Sequence, residues 1–350
     1  MSADEPELRA SVTGGRLAGW LVGGAVAALA VALACSLVGR SRVWGDSFWT
    51  FPWAQEEVWR IRCFRLLVAA LVGAALAVSG LALQGLLRNP LAEPYILGIS
   101  SGAGLGVLAG ATLAVKLALP AWATTPVLAV AGSLTTAALV YAIAQRRGRL
   151  DPYVLLLSGV VVNVFNGALI LALFVFTRPL DLLDYVAWSM GHVQESMYAG
   201  SLLPPPVLAG GAAVLAGGLL VLWRGSSLNA LALGDEVASS GGVAVGRLRI
   251  EIFVLVCLMT AAAVALAGPI GFVGLIVPHI GRLLLGPDHR RLTVVCAAGG
   301  AVLLMLADTL CRLLAEWLNV GTLPIGVITA LAGGPFFIVL LRRRFREGAA

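Results

Sequence analysis

The residues that could do chemistry are few and lie far apart along the chain. Three histidines, His192, His279 and His289, lack metal-ligand pairing, and no glycine-rich phosphate-binding loop ends in Lys-Ser or Lys-Thr. Asp308 is the most isolated carboxylate in an apolar stretch, and Arg312 follows four residues later on the same helix face, where the two could pair. An ion-driven carrier would normally have carboxylates or histidines deep in its spans, so this pattern argues against a self-energised pump.

Two asparagines, Asn163 and Asn166, are the other notable polar side chains within an apolar run. They could line a path for a transported molecule, or they could hydrogen-bond to a neighbouring helix. The second interpretation is favoured, because amide side chains commonly bond across helices in membranes. These residues alone provide no catalytic constellation and no means of coupling energy to transport.

The elements that must position these residues are apolar helices. Hydrophobic residues make up 59% of the 350-residue chain and charged residues 12%, with a mean hydropathy of +0.95, so the solvent is a bilayer. Ten apolar runs approach the length that a membrane span needs. The sequence therefore predicts an all-α, polytopic membrane protein with about ten transmembrane helices. The runs are 17–38, 64–87, 95–115, 124–144, 153–176, 205–223, 250–267, 269–285, 293–311 and 323–341.

Basic residues are distributed unevenly between the loops that join these runs. With the N-terminus in the cytoplasm, sixteen basic side chains fall on the inner side and eight on the outer side. Such an excess is typical of the cytoplasmic side, so both termini are predicted to be cytoplasmic. The net charge of +6 then reflects topology, and nucleic acid is not an expected partner. The predicted organisation is a tail at 1–16, a ten-helix transmembrane domain at 17–342 and a tail at 343–350.

Two loops differ from simple connectors. The inner loop at 224–249 contains two short helix-like pieces, 228–238 and 243–247, around a Ser/Gly break. Its apolar residues could pack on the chain's own helices or dock a soluble partner, and the pattern leaves both open. The outer loop after the first run is rich in tryptophan, as is typical of an interfacial aromatic belt. These tryptophans are Trp44, Trp49, Trp53 and Trp59.

Glycine and proline patterns predict close helix packing and interrupted spans. Glycines recur every fourth residue in the third run. One face of that helix therefore has no side chains, and a neighbouring backbone can approach it closely. Gly/Pro-broken stretches at 80–102 and 268–291 occur in the two halves of the chain and hint at an internal repeat. Residues 181–188 are predicted to form a short amphipathic helix on the outer side. The spaced glycines are Gly98, Gly102, Gly106 and Gly110.

Several motifs occur together, in one order, from about residue 60 to residue 342. The first half contains Gly80-Leu81-Ala82-Leu83-Gln84-Gly85, Arg88-Asn89-Pro90-Leu91-Ala92-Glu93-Pro94 and Leu97-Gly98-Ile99-Ser100-Ser101-Gly102-Ala103. The second half contains Gly268-Pro269-Ile270-Gly271-Phe272-Val273-Gly274-Leu275-Ile276-Val277-Pro278-His279, Asp288-His289-Arg290, and Leu323-Pro324-Ile325-Gly326 with Thr329-Ala330. In this set the chain resembles the permease family of type II ABC importers, which take up ferric siderophores, haem and cobalamin.

The resemblance implies an assembly as well as a fold. A permease of this family has ten spans, forms a homodimer with a second copy of itself, and works with two cytoplasmic ABC ATPase subunits and an extracytoplasmic substrate-binding protein. The chain would then be a transport subunit and not an enzyme. It would bind no cofactor, because ATP and Mg would be held by the ATPase. It would lie in the cytoplasmic (inner) membrane of a bacterium or archaeon.

The resemblance also identifies the residues that would bind the extracytoplasmic binding protein. Outward-side arginines of the family pair with glutamates on the binding protein, and the matching residues here are Arg62, Arg65 and Arg312. Two positions depart from the family pattern. Cys63-Phe64 stands where a proline often separates the arginines, which affects their pose, and Thr322 stands where an acidic residue often precedes Leu-Pro-Ile-Gly, at the outer mouth.

The family's gate and coupling positions carry over in the same way. The resemblance assigns an inner gate to Asn89 and Leu91 in the Asn-Pro-Leu turn, and to Asp151 and Tyr153 before the fifth run. It matches the loop at 224–249 to the coupling helices that enter a cleft of the ATPase, which favours docking over self-packing. The coupling residues implied are Ala230, Leu233, Gly234, Asp235, Val237 and Gly242.

Two other classes of function compete with an ABC permease. A secondary carrier or channel would transport without an ATPase, and an intramembrane enzyme would need clustered catalytic side chains inside the spans. Co-purification with an ATPase subunit separates the permease from both. The favoured cargo is a ferric siderophore, haem or related iron complex, because that branch of the family is the largest. Cobalamin is the alternative within the same family.

Overall fold

The computed structural model describes residues 14–38, 56–117, 121–146, 149–193, 201–321 and 323–347. Within these ranges the chain forms thirteen α-helices, a short 3-10 helix (Pro94–Leu97) and a two-residue antiparallel ladder. In the ladder, Gln145 pairs with Leu150 and Arg146 pairs with Arg149. The helices are α1 (Gly14–Leu37), α2 (Glu56–Leu87), α3 (Ile99–Leu117), α4 (Ala121–Ala144), α5 (Pro152–Phe174), α6 (Pro179–Ser189), α7 (Pro205–Trp223), α8 (Gly225–Ala232), α9 (Asp235–Ser240), α10 (Val245–Ala267), α11 (Val273–Leu285), α12 (His289–Trp317) and α13 (Ile325–Glu347).

Ten of these helices coincide with the ten predicted runs, which confirms the all-α polytopic fold. Eight described helices are long and apolar enough to cross a membrane. Two more are shorter, namely the described apolar part of α3 (Ile99–Ala111) and α11. Of the other three, α8 and α9 lie in the 224–249 loop, and α6 confirms the helix predicted at 181–188. The cytoplasmic placement of both termini stays a prediction.

Several boundaries differ from the predicted ones. α2 begins at Glu56, eight residues before the predicted run, and α12 extends beyond 293–311 at both ends. α13 continues to Glu347, so part of the predicted tail at 343–350 is helical. Most of the predicted N-terminal tail, Thr322 and three of the four loop tryptophans lie outside the described residues.

Two predicted spans are interrupted by residues with positive φ. The third run begins with the 3-10 helix, and Gly98, with φ of +80°, separates that helix from α3. The run at 269–285 becomes helical only at Val273, because Gly268 (φ +65°) and Phe272 (φ +69°) turn the chain before α11. A positive φ is uncommon for a bulky residue such as phenylalanine, so its surroundings must hold it there. These are the two Gly/Pro-broken stretches of the sequence.

The loop at 224–249 forms two short helices, but the predicted position of the break was wrong. α8 and α9 are separated at Leu233–Gly234, whereas Ser239 and Ser240 are helical. The predicted second piece, 243–247, leads into α10 and is not a separate helix. Gly234 has φ of +129°, a conformation that favours glycine, so the chain breaks at this residue.

α2 forms the centre of the helix bundle. It is buried along most of its length and packs against α12, α10, α11 and α7. α10 is buried to a similar degree, whereas fewer than a third of the residues in the apolar stretches of α1, α5, α7 and α13 are buried in the single chain. The polar residues of interest therefore lie on, or next to, the most enclosed helices.

The spaced glycines of α3 bring its backbone against α4, as the sequence predicts. A Cβ at residue 102 or 106 would overlap backbone carbonyl or side-chain oxygens of α4. Gly132 of α4 faces them, and a Cβ there would overlap the carbonyl oxygen of Gly102. Small residues at such positions let helices in membranes pack closely without a hydrophobic driving force.

Replacing Gly73 of α2 by alanine should destabilise the bundle, because the new Cβ would overlap the carbonyl oxygen of Gly300 in α12. Overpacking of this kind costs about 1–3 kcal/mol. The matched control is Gly167→Ala in α5, where nothing lies within 4 Å of the added atom. We expect a lower midpoint of thermal unfolding in detergent micelles for Gly73→Ala only. Equal midpoints for both variants and the parent would contradict this packing.

Candidate functional site

The two short helices of the 224–249 loop have some apolar residues buried in the helix bundle and others exposed at the surface. Leu228 and Leu231 of α8 are fully buried in the helix bundle. Leu233, between the helices, is 74% exposed, and Val237 of α9 is 50% exposed. One face therefore packs on the chain itself, and another is available to a partner. The other predicted coupling residues are half-buried or exposed, namely Ala230, Gly234, Asp235 and Gly242.

Asp235, the first residue of α9, joins that helix to two other elements. Its Oδ1 lies 3.2 Å from Nη2 of Arg88 and 2.9 Å from Nη2 of Arg249 in α10. Arg88 directly precedes Asn89 in the turn after α2. The ion pair thus connects a predicted coupling residue with the predicted gate turn. The sequence identified Asp235 but neither of its partners.

Asn229 of α8 provides a second connection, which the sequence analysis missed. Its Nδ2 donates to Oδ1 of Asp288 at 2.9 Å, and its Oδ1 accepts from the backbone nitrogen of His289 at 2.9 Å. Asp288 also caps α12 by accepting from the backbone nitrogen of Arg290. The sequence analysis identified the Asp288-His289-Arg290 motif, but the motif does not predict that Asn229 contacts it.

The predicted gate residues lie in two separate turns. In the first, Oδ1 of Asn89 accepts from the backbone nitrogen of Leu91 at 3.1 Å, which closes the turn. In the second, Asp151 caps α5 by accepting from the backbone nitrogen of Tyr153 at 2.9 Å, and Tyr153 is 75% exposed. No hydrogen bond or ion pair between the described residues joins these two pairs. Their joint action as a gate stays a prediction.

Gln84 of α2 holds the first turn against α11, a role that the sequence did not indicate. Its Nε2 donates to the carbonyl oxygen of Ala92 at 3.2 Å and to that of Gly274 at 2.9 Å. Its Oε1 accepts from Nη2 of Arg282 in α11. One buried side chain therefore supplies hydrogen bonds to the turn and to α11, where lipid could supply none.

The arginines assigned to binding-protein docking lie near the start of α2 and in α12. Arg62 and Arg65 are each 5% exposed. Asp308 is fully buried, and its Oδ1 lies 2.6 Å from Nη2 of Arg65. Its Oδ2 lies 3.2 Å from Nε of Arg312, which confirms the predicted pair within α12. Arg312 also donates to the carbonyl oxygen of Cys35 at the end of α1, so this cluster ties three helices together and its docking role stays a prediction.

Asn163 and Asn166 hydrogen-bond to neighbouring elements, which confirms the favoured interpretation. Nδ2 of Asn166 donates to Oγ of Ser101 in α3 and to Oγ1 of Thr136 in α4, both at 3.1 Å. Oδ1 of Asn163 accepts from Oγ of Ser101 at 2.6 Å, and its Nδ2 donates to the carbonyl oxygen of Tyr95 at 3.2 Å. These bonds fix α5 against α3 and α4. A path-lining role for either asparagine stays a prediction.

The two interrupted stretches of the chain meet inside the bundle. Oε1 of Glu93 accepts from the backbone nitrogen of Phe272, and Oη of Tyr95 accepts from that of Ile270 at 2.7 Å. Backbone donors in the segment before α11 are thereby satisfied. Glu93 lies in the turn between α2 and the 3-10 helix, where burial raises the pKa of its carboxyl group to about 7. The sequence analysis named Glu93 only as part of a motif and did not predict this burial.

A cavity of about 480 Å³ lies beside this junction. Its walls come from α3, α5, α6 and the segment before α11, with Ser101, Asn163, Trp188 and Gly271 as representatives. Glu93 also lines it, and no lysine, arginine or histidine among the described residues does. The cavity therefore combines hydroxyl, amide and aromatic groups with one carboxyl group.

Comparisons with known proteins identify the family of the chain. Residues 21–343 match the FecCD transport family. The YvrB ABC transporter permease of Bacillus subtilis, itself uncharacterised, is 41% identical over 298 residues, which cover 85% of this chain and 82% of that protein. The cobalamin import permease BtuC of Halobacterium salinarum is 42% identical over 83% of this chain and 74% of its own length. The hemin transport permease HmuU of Yersinia pestis is 38% identical, over 83% and 85%.

A solved structure agrees with these relatives. It is described as an inward-facing conformation of a metal-chelate type ABC transporter, and it aligns with a TM-score of 0.76 at 28% identity. The alignment covers 93% of this chain and 99% of the other. With the family match over residues 21–343, these likenesses establish that the chain belongs to the FecCD transport family and is a multi-pass permease subunit of an ABC transporter.

Proposed function

We propose that this chain is the transmembrane subunit of an importer that carries a ferric siderophore, haem or related iron complex across the cytoplasmic membrane. A separate ATPase, which binds ATP and Mg, would drive transport, and an extracytoplasmic binding protein would deliver the cargo. A second copy of the chain would complete the path as a homodimer. The chain itself would act as a transport subunit and not as an enzyme. The observation that carries the proposal is the ion pair from Asp235 to Arg88, which joins the docking surface to the gate turn.

The inner-side contacts support a mechanical route from the ATPase to the gate. An ATPase bound at Leu233 and Val237 would move α9 during its nucleotide cycle. Asp235 moves with α9, so the displacement reaches Arg88 and the turn that contains Asn89. Because that turn has its own hydrogen bonds, it can shift between two arrangements as a unit and need not deform gradually.

Cobalamin is the second candidate cargo. Relatives named for cobalamin import and for hemin transport match the chain at similar identity and coverage. Their similarity therefore supports a bulky cargo of this kind and does not choose between the two.

A carrier that works without an ATPase is a remote alternative from another class. Asp308 is engaged by two arginines and holds helices together. The buried carboxyl group of Glu93 is the observation that favours proton coupling. An ABC permease binds an ATPase subunit, whereas a carrier of the other class does not. The variants below test whether this chain binds one.

Replacing Leu233 and Val237 together by serine should weaken association with the ATPase subunit. Two exposed apolar side chains that become buried on docking contribute enough to lower the retained ATPase about tenfold. The measurement is the amount of ATPase that co-purifies with the tagged permease from detergent extracts. Leu183→Ser is the matched control, because Leu183 is 67% exposed on α6, outside the coupling loop. Unchanged retention in the double variant would overturn the docking assignment.

Asp235→Asn should uncouple ATP hydrolysis from uptake. The change removes the charge that holds Arg88 and Arg249, and partly exposed ion pairs are each worth up to about 1 kcal/mol, so we expect uptake per ATP to fall about three- to tenfold. Uptake and hydrolysis are measured together in proteoliposomes that contain permease, ATPase and binding protein.

The control for this experiment is Glu236→Gln, which makes the same charge change at the next residue of α9. Glu236 is exposed and forms no ion pair with another described residue. Equal uptake per ATP in the Asp235 and Glu236 variants would remove the ion pair from the coupling route.

Arg312→Gln should weaken docking of the binding protein without unfolding the permease, because the buried pair between Arg65 and Asp308 remains. We expect the association rate to fall several-fold at low salt, with the difference shrinking as ionic strength rises. Arg65→Gln, by contrast, breaks the buried pair and should destabilise the protein by about 3–5 kcal/mol. Arg178→Gln, on an exposed outer side chain, is the control for lost charge. Identical low-salt rates for Arg312→Gln and the parent would contradict its docking role.

A further inference from the structure

Three arginines surround the end of α7, where the chain enters the 224–249 loop. Arg224 directly follows α7, and its Nη2 lies 2.7 Å from Oε2 of Glu251 in α10. Arg247 lies one helical turn before Glu251, on the same side of α10. Arg290, in the first turn of α12, lies against Gly225, since a Cβ at that glycine would be 2.7 Å from the arginine Cγ. These three arginines are here called the basic rim.

The basic rim carries more positive charge than the nearby carboxylates neutralise. The carboxylate of Glu251 is engaged by the first arginine of the rim. Asp288, which precedes α12, lies 3.5 Å from Nε of Arg291 and is engaged by that residue instead. Arg247 and Arg290 are exposed, and neither forms an ion pair within the described part of the chain. Their guanidinium groups are therefore available to an anion.

The last turns of α7 carry an exposed apolar stripe that leads to the basic rim. Leu215, Leu219 and Trp223 recur every fourth residue, so they lie on one face of the helix, and each is more than half exposed. From its first to its last residue the stripe spans about 12 Å along the helix axis. The guanidinium carbon of Arg224 lies 4.3 Å from the centre of the Trp223 ring, so the stripe and the rim are contiguous.

A ligand that contacts both the rim and the stripe must be anionic at one end and apolar at the other. Leu215 and Leu219 lie within a helix that is long and apolar enough to cross a membrane, so a soluble partner at the rim would not cover them. Tryptophan and arginine at the end of such a helix are typical of the membrane interface. Basic pockets between transmembrane helices at that depth bind anionic lipid headgroups.

We propose that the basic rim and the apolar stripe form a binding site for an anionic phospholipid in the leaflet that faces α8. The lipid phosphate accepts from the guanidinium group of Arg290, and the rest of the rim supplies the surrounding positive charge. One acyl chain lies along Leu215 and Leu219, with the Trp223 ring between the chain and the headgroup. The inference goes beyond the proposed function and requires only that the chain lies in a membrane.

The test is native mass spectrometry of the full chain, released from neutral detergent micelles after titration with lipid. Phosphatidylglycerol, which has one net negative charge, is compared with phosphatidylcholine, which has none, and both have identical acyl chains. Each basic side chain near a membrane surface strengthens binding of an anionic lipid about fivefold. We therefore expect the first phosphatidylglycerol to bind about fivefold to twentyfold more tightly than the first phosphatidylcholine.

Two variants identify the residues responsible. Arg290→Gln removes one uncompensated charge, so the preference for phosphatidylglycerol should fall about fivefold. Leu219→Ser removes apolar contact with the acyl chain, so both lipids should bind about threefold more weakly and the preference should remain. The control is Arg342→Gln, because Arg342 is exposed near the end of α13 and has no ion-pair partner among the described residues. The unfolding midpoint of each variant verifies that the fold is intact.

Three results would overturn the proposal. They are equal binding of the two lipids to the parent chain, a preference that survives Arg290→Gln, and an equal loss of preference in Arg342→Gln, which would assign the preference to total charge.

Two other occupants give different results, and each would also overturn the proposal. If a second copy of the chain covers the stripe, Leu219→Ser lowers the dimer signal in the spectra and leaves lipid binding unchanged. If an ATPase subunit covers the rim, Arg290→Gln lowers ATPase retention and leaves the lipid preference unchanged. The lipid titration contains neither ATPase nor cargo, so its failure leaves the importer assignment intact. That assignment is tested separately by the Leu233 and Val237 variant.

Discussion

A helix interrupted inside an apolar bundle must find hydrogen-bond partners within the protein, because lipid offers none, and this constraint organises the centre of the molecule. The segment before α11 meets the turn after α2, and side chains of Glu93 and Tyr95 accept from the backbone nitrogens of Phe272 and Ile270. Gln84 bonds to both sides of the same junction. The turn after α2, the start of α11 and the cavity beside them all take their positions from these few bonds.

The same junction is also connected to the exposed helix α9. Asp235 of α9 contacts Arg88, and the turn that follows Arg88 ends in Glu93. The series of contacts from the exposed helix α9 to the buried junction is therefore short and made of directional bonds. Hydrogen bonds and ion pairs of this kind exchange partners in discrete steps, unlike the apolar packing around them. They are therefore suited to a segment that switches between two arrangements.

The parts of this architecture that sequence could predict are those encoded locally. Helical spans follow from hydropathy, the glycine face of α3 from its four-residue spacing, and the Asp308–Arg312 pair from one turn of a helix. Contacts between distant segments were not predictable in this way. Arg65 lies 243 residues from Asp308, and Asn229 lies 59 residues from Asp288. The burial of Glu93 was not predictable either, because the sequence does not show that α11 packs against its turn.

The burial of Glu93 makes the junction sensitive to the charge of one side chain. A carboxyl group in an apolar interior is costly unless hydrogen bonds or a counter-charge compensate it, and the Phe272 backbone nitrogen supplies only part of that compensation. Neutral glutamine could accept the same backbone bond, so closing the junction does not by itself require a charge. A carboxyl group there has a further consequence that an amide lacks, namely that it can gain or lose a proton near neutral pH, because burial raises its pKa to about 7. The otherwise apolar bundle therefore contains one buried group whose charge changes near neutral pH, and the ionised form of that group is the one that burial disfavours.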